Sequence, residues 1–498
     1  MREVVLGIDI GTSSSKGVLV DFGGKIHATA VRNHEVSRPA PGHVEMDAAI
    51  WWQEFIEISR ELTATEDVQV VGVGVSGMGP CVLIADEDAR ALRPAILYGI
   101  DTRAVEQIDC INAAFGQQSI VDRCGSALST QAVGPKLAWL ADHEPGVASR
   151  ARMLFMPSSW LAYQLTGEYV LDHHSASQCT PMYDTSTHEW YPPYADPLIQ
   201  SIELPLLVWP GDIIGHVNLV ASDRTGIPRG VPVIGGTIDA WSEAVSVGAH
   251  RPGDLMLMYG TTMFLVNTLQ ARTTSSSLWG TVGVVPGTYN LAGGMATSGA
   301  ITAWLRTIVG SPDFSTLLSE ADKSGPGANG LLMLPYFAGE RTPVADPNAR
   351  GLVAGLTLDH TRGDLYRATL EATAFGVRHN VDALTNMGGD VRRTIAVGGG
   401  TQGGLWTQIV SDVTGLEQQI PSVTIGASFG AAYLAAEALG SAVIGDWNPI
   451  VSVTQPRQDS SARYERLYGL YRELYESTAS VTHQLVDLAS TLSRNPTT

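Results

Sequence analysis

The chain has 498 residues, 44% hydrophobic and 16% charged, enough for two or three domains around a large buried core. Its 31 basic and 50 acidic residues leave a formal charge of −19, which argues against nucleic acid or an anionic membrane as a partner. A phosphorylated ligand stays open, because backbone amides and a metal hold phosphate without net basicity.

Met1-Arg2-Glu3 leads directly into the apolar run Val4–Ile8, too short for a signal-peptide core, and no apolar stretch approaches the ~20 residues that span a bilayer. Cys81, Cys110, Cys124 and Cys179 form no CxxC pair and no disulfide framework, so reduced thiols and a cytoplasmic location are expected. In chain order, the strand Val4–Ile8 meets a Gly/Thr/Ser turn at Gly11–Ser15 and a second strand at Val18–Asp21. Phe22-Gly23-Gly24-Lys25 then turns the chain into Ile26–Val31. The spacing of Trp51, Phe55, Ile58 and Leu62 predicts a helix from about Asp47, its N-cap, to Leu62. Val70–Ser76 reads as a strand that ends in Gly77-Met78-Gly79-Pro80 and resumes at Val82–Asp86. Such alternation indicates an α/β fold.

From Lys136 to Leu207, helical pattern mixes with loops rich in His, Ser, Pro and Tyr. A buried strand, Val231–Gly236, then delivers Thr237-Ile238-Asp239-Ala240. Leu255–Tyr259, the turn Gly260-Thr261-Thr262 and Met263–Thr268 repeat the strand–turn–strand logic of the N-terminus. The domain boundary is therefore placed at 248–253, giving domains 1–249 and 250–498. A strand at Thr394–Val397 precedes the glycine cluster Gly398–Gly404 and a helix at Leu405–Val413. After Pro456 the chain reads as one amphipathic helix ending in a polar stub.

Phosphoryl transfer needs a cradle for the triphosphate, a divalent cation and a base for the acceptor hydroxyl. Asp9-Ile10-Gly11-Thr12-Ser13-Ser14-Ser15-Lys16 suits the first two: Asp9 ends a strand, and Gly11, Thr12 and Ser13 present amides and hydroxyls. The same residues also suit a polar hairpin turn. Gly260 and Thr261 form the matching second turn. GxxxxGK[ST] is absent, so the P-loop class is disfavoured. Gly399, Gly400 and Gly403 offer bare backbone against which an adenine could lie flat. Asp239, at a strand end, is positioned either as a base for a hydroxyl or as a helix N-terminal Asp. His173, His174 and His188 with Asp172 lack metal-ligand spacing and read as loop residues.

In order, these segments resemble the FGGY family of carbohydrate kinases, from Leu6 to about Leu439. The match includes Lys136-Leu137-Ala138-Trp139-Leu140, Gly351–Leu356, and Asp364-Leu365-Tyr366-Arg367-Ala368-Thr369-Leu370-Glu371. Pro335–Pro343, followed by Asp346–Gly351, looks like the xylulokinase-type members. The resemblance implies two actin-like (ribonuclease H-like) ATPase domains around a central cleft, with ATP and Mg2+ as cofactors. By the same resemblance Asp9, with Asp239, is expected to hold the metal, Thr12, Gly260 and Thr261 the phosphates, Gly299 with Gly399–Gly400 the nucleotide, and Asp239 is the expected base. A homodimer is expected by analogy only.

One departure bears on specificity. Xylulokinases typically carry Gly-Gln-Met-His after the strand, with the Met and His approaching the sugar, whereas this chain has Gly77-Met78-Gly79-Pro80, so the His position is Pro80; Met78 and Gly79 are the candidate sugar contacts in this segment. The Arg-Glu pair of glycerol kinases is absent as well. Tyr98 stands where the family stacks an aromatic ring on sugar, and Asp101 and Arg103 serve either as hydroxyl ligands or as a salt bridge. The acceptor is expected to be a ketose such as xylulose or a related pentulose or hexulose, against a linear polyol or sugar acid, a non-catalytic scaffold, or an ATPase machine.

Overall fold

A computed structural model describes residues 1–440 and 442–494. The chain forms two compact units: Met1–Pro252 with Thr268–Asn290 and Ser422–Pro449, and Gly253–Asn267 with Leu291–Pro421 and Ile450–Thr498. In the first unit a mixed sheet runs in the order Ile213–His216, Pro232–Ile234, Val68–Gly77, Arg2–Ile10, Ser14–Asp21, Ile26–Asn33. Its centre, from Val4 to Ile10, is buried without interruption, as the Val/Ile/Leu run demands of a strand covered on both faces. The helix Ala48–Thr63 covers one face, with Asp47 accepting the Ala49 N–H at its start. Its own Trp51 and Trp52 are part of the core.

The helix Ala427–Ala438 covers the other face, although it is distant in sequence. It lies close to the strands because Gly7 and Gly74 present no side chain: a Cβ on Gly7 would overlap the Ser428 carbonyl, and one on Gly74 the Ala431 carbonyl. On the helix, Gly430 does the same for the neighbouring helix Asp239–Ser246, where Ser242 Oγ donates to the Ala427 carbonyl at 2.7 Å. The helix that begins with Asp239 is thus braced by a segment almost 200 residues away in sequence.

The second unit repeats the pattern around Asp254–Tyr259, paired antiparallel with Met263–Leu269 and parallel with Arg393–Val397. Gln418–Pro421 and Ile450–Thr454 extend that sheet. The long helix Arg362–Asn386 is opened by a Thr361–Asp364 capping box. Inside it, Arg367 pairs with Glu371 at 2.7 Å, and both meet the Tyr464 hydroxyl of the C-terminal helix Ser461–Arg494. The motif residues Arg367 and Glu371 therefore serve packing: each leaves its charge inside a closed hydrogen-bonded group. The polar stub expected at the end of the C-terminal helix, 495–498, lies outside the described residues.

Candidate active site

Three parallel strand ends build the site in the first unit. Asp9 lies opposite Ser76, and Ser76 opposite Thr237, so the carboxyl ends of Arg2–Ile10, Val68–Gly77 and Thr237–Ile238 arrive together. In open α/β sheets that edge is where ligands bind. Asp9 is 8% exposed and accepts the Ser76 hydroxyl at 2.8 Å. Burial, then the charge of Asp239 and that of Glu243, hold its carboxyl far above the ordinary range. Asp239 begins its helix, accepts the Ala240 N–H at 2.7 Å through Oδ1, and keeps a solvent-facing side. Burial raises it too.

Glu243, one helical turn after Asp239, is a residue the sequence reading missed. Burial, and next the Asp239 charge, push it up to about 7. The i, i+4 spacing is the signal that could have found it, since it places both carboxylates on one helix face. Ser76 was likewise missed as a partner of Asp9. Lys16, exposed on the strand paired with Asp9, offsets part of the negative charge. Among the described residues no group of three His, Cys, Asp or Glu is placed to hold a metal; His173 and His174, expected in a loop, instead lie on the short helix His173–Ser177, where His173 bonds the Tyr183 hydroxyl and the buried His174 the Val282 carbonyl.

The turn Gly11–Ser15 follows directly, closed by Gly11 N–H on the Ser14 carbonyl at 3.1 Å. Thr12 Oγ1 lies 2.9 Å from the Tyr98 hydroxyl, and Ser13 is exposed. Gly79 sits close over Ile238, where a Cβ would meet the isoleucine side chain at 2.7 Å.

Two expectations for sugar contacts are corrected. Met78 is 1% exposed and belongs to the core cluster, because its apolar side chain turns inward beneath the strand ends. Asp101 and Arg103 take the salt-bridge role: their side chains are 0% and 1% exposed, and they pair at 2.7 Å. The remaining capacity of Asp101 is met by the backbone N–H groups of Val44 and Arg103, and Arg103 also reaches Glu45 at 2.8 Å. A sugar hydroxyl would have to break that buried group to reach either residue. Lys136 of the first signature is also buried, and burial lowers it to about 8.

In the second unit, Gly260 and Thr261 follow the strand Asp254–Tyr259 and accept from Gly299 N–H and Ala300 N–H at 3.0 and 3.1 Å. Gly299 opens the helix Gly299–Ile308. Met258 pairs with Val397, so the Gly398–Gly400 turn leaves the adjacent strand end, and a Cβ on Gly400 would meet Tyr259 Cβ at 2.8 Å. Gly399 faces open space, and Gly403 adopts φ +86°. Gly260, Thr261, Gly299 and Gly400 are thus gathered at one sheet edge.

The N-terminal domain model of the FGGY family of carbohydrate kinases matches residues 4–246, and the C-terminal domain model matches 255–439. The chain belongs to this family. It is a carbohydrate kinase, an enzyme that phosphorylates a sugar. The kinase is 28% identical to a xylulose kinase of Staphylococcus epidermidis over 98% of this chain and all of that one. It is 32% identical to a glycerol kinase of Nocardia farcinica over 88% of this chain and 91% of that one. The crystal structure of a xylulose kinase from Rhodospirillum rubrum superposes with a TM-score of 0.91 at 31% identity, covering 96% of this kinase and 100% of that chain. Among the described residues of the kinase no helix is long and apolar enough to cross a membrane.

Proposed function

We propose that this kinase transfers the terminal phosphoryl group of ATP to a primary hydroxyl of a ketose, xylulose or a related pentulose or hexulose. The observation that carries the reading is the pair of raised carboxylates, Asp9 and Asp239, at one sheet edge beside the Gly11–Ser15 turn. Asp239 is the base. Its Oδ1 is occupied by the Ala240 N–H, which leaves Oδ2 to take the hydroxyl proton as the sugar oxygen bonds to phosphorus and ADP departs. A carboxylate raised toward neutrality holds that proton better than an ordinary Asp.

Asp9 and Asp239 also fit a magnesium ion. Two neighbouring carboxylates, Asp9 buried and Asp239 half-buried, with the charge of Asp239 raising Asp9, are a site a divalent cation relieves, and Mg2+ takes one or two carboxylates with water and phosphate completing its shell. When bound, the ion would neutralise charge on the phosphates. Thr12 with the turn amides would meet the terminal phosphates. In the second unit Gly260 and Thr261 would meet phosphate, while Gly399, with no side chain and open space before it, would lie against the adenine. Tyr98, tied to Thr12, is the proposed contact with the sugar. A ketose is favoured because the Staphylococcus epidermidis and Rhodospirillum rubrum relatives, matched over 98% and 96% of this chain, are named xylulose kinase, whereas the Nocardia farcinica glycerol kinase is matched over 88%.

The test is ADP release from MgATP across ketoses, linear polyols and sugar acids. The highest kcat/KM is expected for a pentulose or hexulose. A maximum for glycerol or a sugar acid would overturn the substrate, and no stimulation by any acceptor would overturn the transfer.

A further inference from the structure

The Gly11–Ser15 turn is held from behind by a side-chain pair that strand register does not require. His34 follows the strand Ile26–Asn33, and its backbone N–H donates to the Ser13 carbonyl at 3.1 Å. Its ring Nε2 lies 3.0 Å from the Gly11 carbonyl oxygen, and Nδ1 lies 2.9 Å from Oε2 of Glu54, on the helix Ala48–Thr63. The same Oε2 accepts the Ser15 hydroxyl at 2.5 Å. The His34 and Glu54 side chains are only 5% and 12% exposed. The imidazole at Gly11, the carboxylate at Ser15 and the His34 amide at Ser13 therefore grip the turn.

The grip has a directional consequence. A trans peptide is planar, with its C=O and N–H pointing opposite ways. Pinning the Gly11 carbonyl on the imidazole thus aims the Thr12 N–H away from His34, on the outer side of the turn. Both ring nitrogens face acceptors, the Glu54 carboxylate on Nδ1 and the Gly11 carbonyl on Nε2, so both bonds are made by a ring that carries a proton on each nitrogen, with Glu54 fixing its orientation. A donor aimed in advance costs no reorganisation when an anion arrives.

We propose that His34 and Glu54 are positioning residues that preset the Thr12 amide for a phosphate oxygen of the nucleotide. Neither touches the ligand; both act through the turn. The inference rests on the reading of Gly11–Ser15 as a phosphate turn.

Calorimetric titration of MgATP, with KM for ATP and for the sugar measured beside it, tests this on wild type, His34→Leu, His34→Gln and Glu54→Gln. Loss of one aimed donor predicts MgATP binding about tenfold weaker in His34→Leu, with a parallel rise in KM for ATP and less than about a twofold change in KM for sugar. His34→Gln, which keeps a side-chain donor, should return binding to within about threefold of wild type. Should His34→Leu fail to fold, Glu54→Gln carries the test with a loss of about threefold. Unchanged MgATP affinity in the folded variants overturns the proposal, as does an equal rise in both KM values with no rescue by Gln. A wild type that binds no MgATP overturns the kinase reading together with it, whereas binding by wild type and by His34→Leu alike overturns the positioning role alone.

Discussion

Both turns are closed by a backbone bond, but the one at Gly11–Ser15 is braced further by side chains, and the one at Gly260–Thr262 by backbone amides. In the first, His34, Glu54 and Tyr98 reach in from three other segments. In the second, Gly260 N–H closes on the Thr262 carbonyl, and the amides of Ser298, Gly299 and Ala300 donate to the Gly260 and Thr261 carbonyls. Side-chain bracing makes a turn answerable to residues far away in sequence and to their charge. Backbone bracing makes it answerable to the space one glycine leaves.

Between the two turns, the larger effect belongs to the carboxylate beside the first. Asp9→Asn should lower kcat on the order of 100-fold and raise the magnesium concentration needed for half-maximal rate, read from initial rates across a magnesium series. An equal loss from changing an exposed residue of the second unit would erase the distinction between the turns. Gly299→Ala comes next. Its Cβ would sit 2.5 Å from the Gly260 carbonyl oxygen, so the second turn must shift; KM for ATP should rise about tenfold while KM for sugar holds. The smallest effect is on stability. Glu243, raised to about 7 from an unfolded value near 4.3, contributes stability that is present at low pH and lost as pH rises through 7. Glu243→Gln removes that loss, so its melting temperature relative to wild type should rise between pH 5 and pH 8, by on the order of 3 °C in the magnesium-free enzyme.

The sequence signals that succeeded were local. The runs Val4–Ile8 and Val70–Ser76 marked strands correctly, and Asp9 and Asp239, read as strand-end residues, stand at strand ends that meet. What failed was long-range or concerned the direction of a side chain. Nothing in periodicity links His34 to Glu54, twenty residues on, or assigns the small-residue helix Ala427–Ala438 to the first sheet; contact there depends on Gly7 and Gly74 lying side by side on neighbouring strands. Met78 reads in the sequence as a candidate sugar contact, yet an unbranched apolar side chain is stabilised by burial, and the core takes it. Asp101 and Arg103 stand two residues apart on a turn, close enough to satisfy each other once Glu45 and the Val44 amide close the group.

The most direct test of the account compares sugar-dependent ADP release by wild type and by Asp239→Asn under saturating MgATP. Loss of the base should lower kcat by about 10³-fold, with a far smaller change in calorimetric MgATP affinity because Asp9 remains to hold the ion. A variant that retains sugar-dependent turnover within about tenfold of wild type would contradict Asp239 as the group that takes the proton.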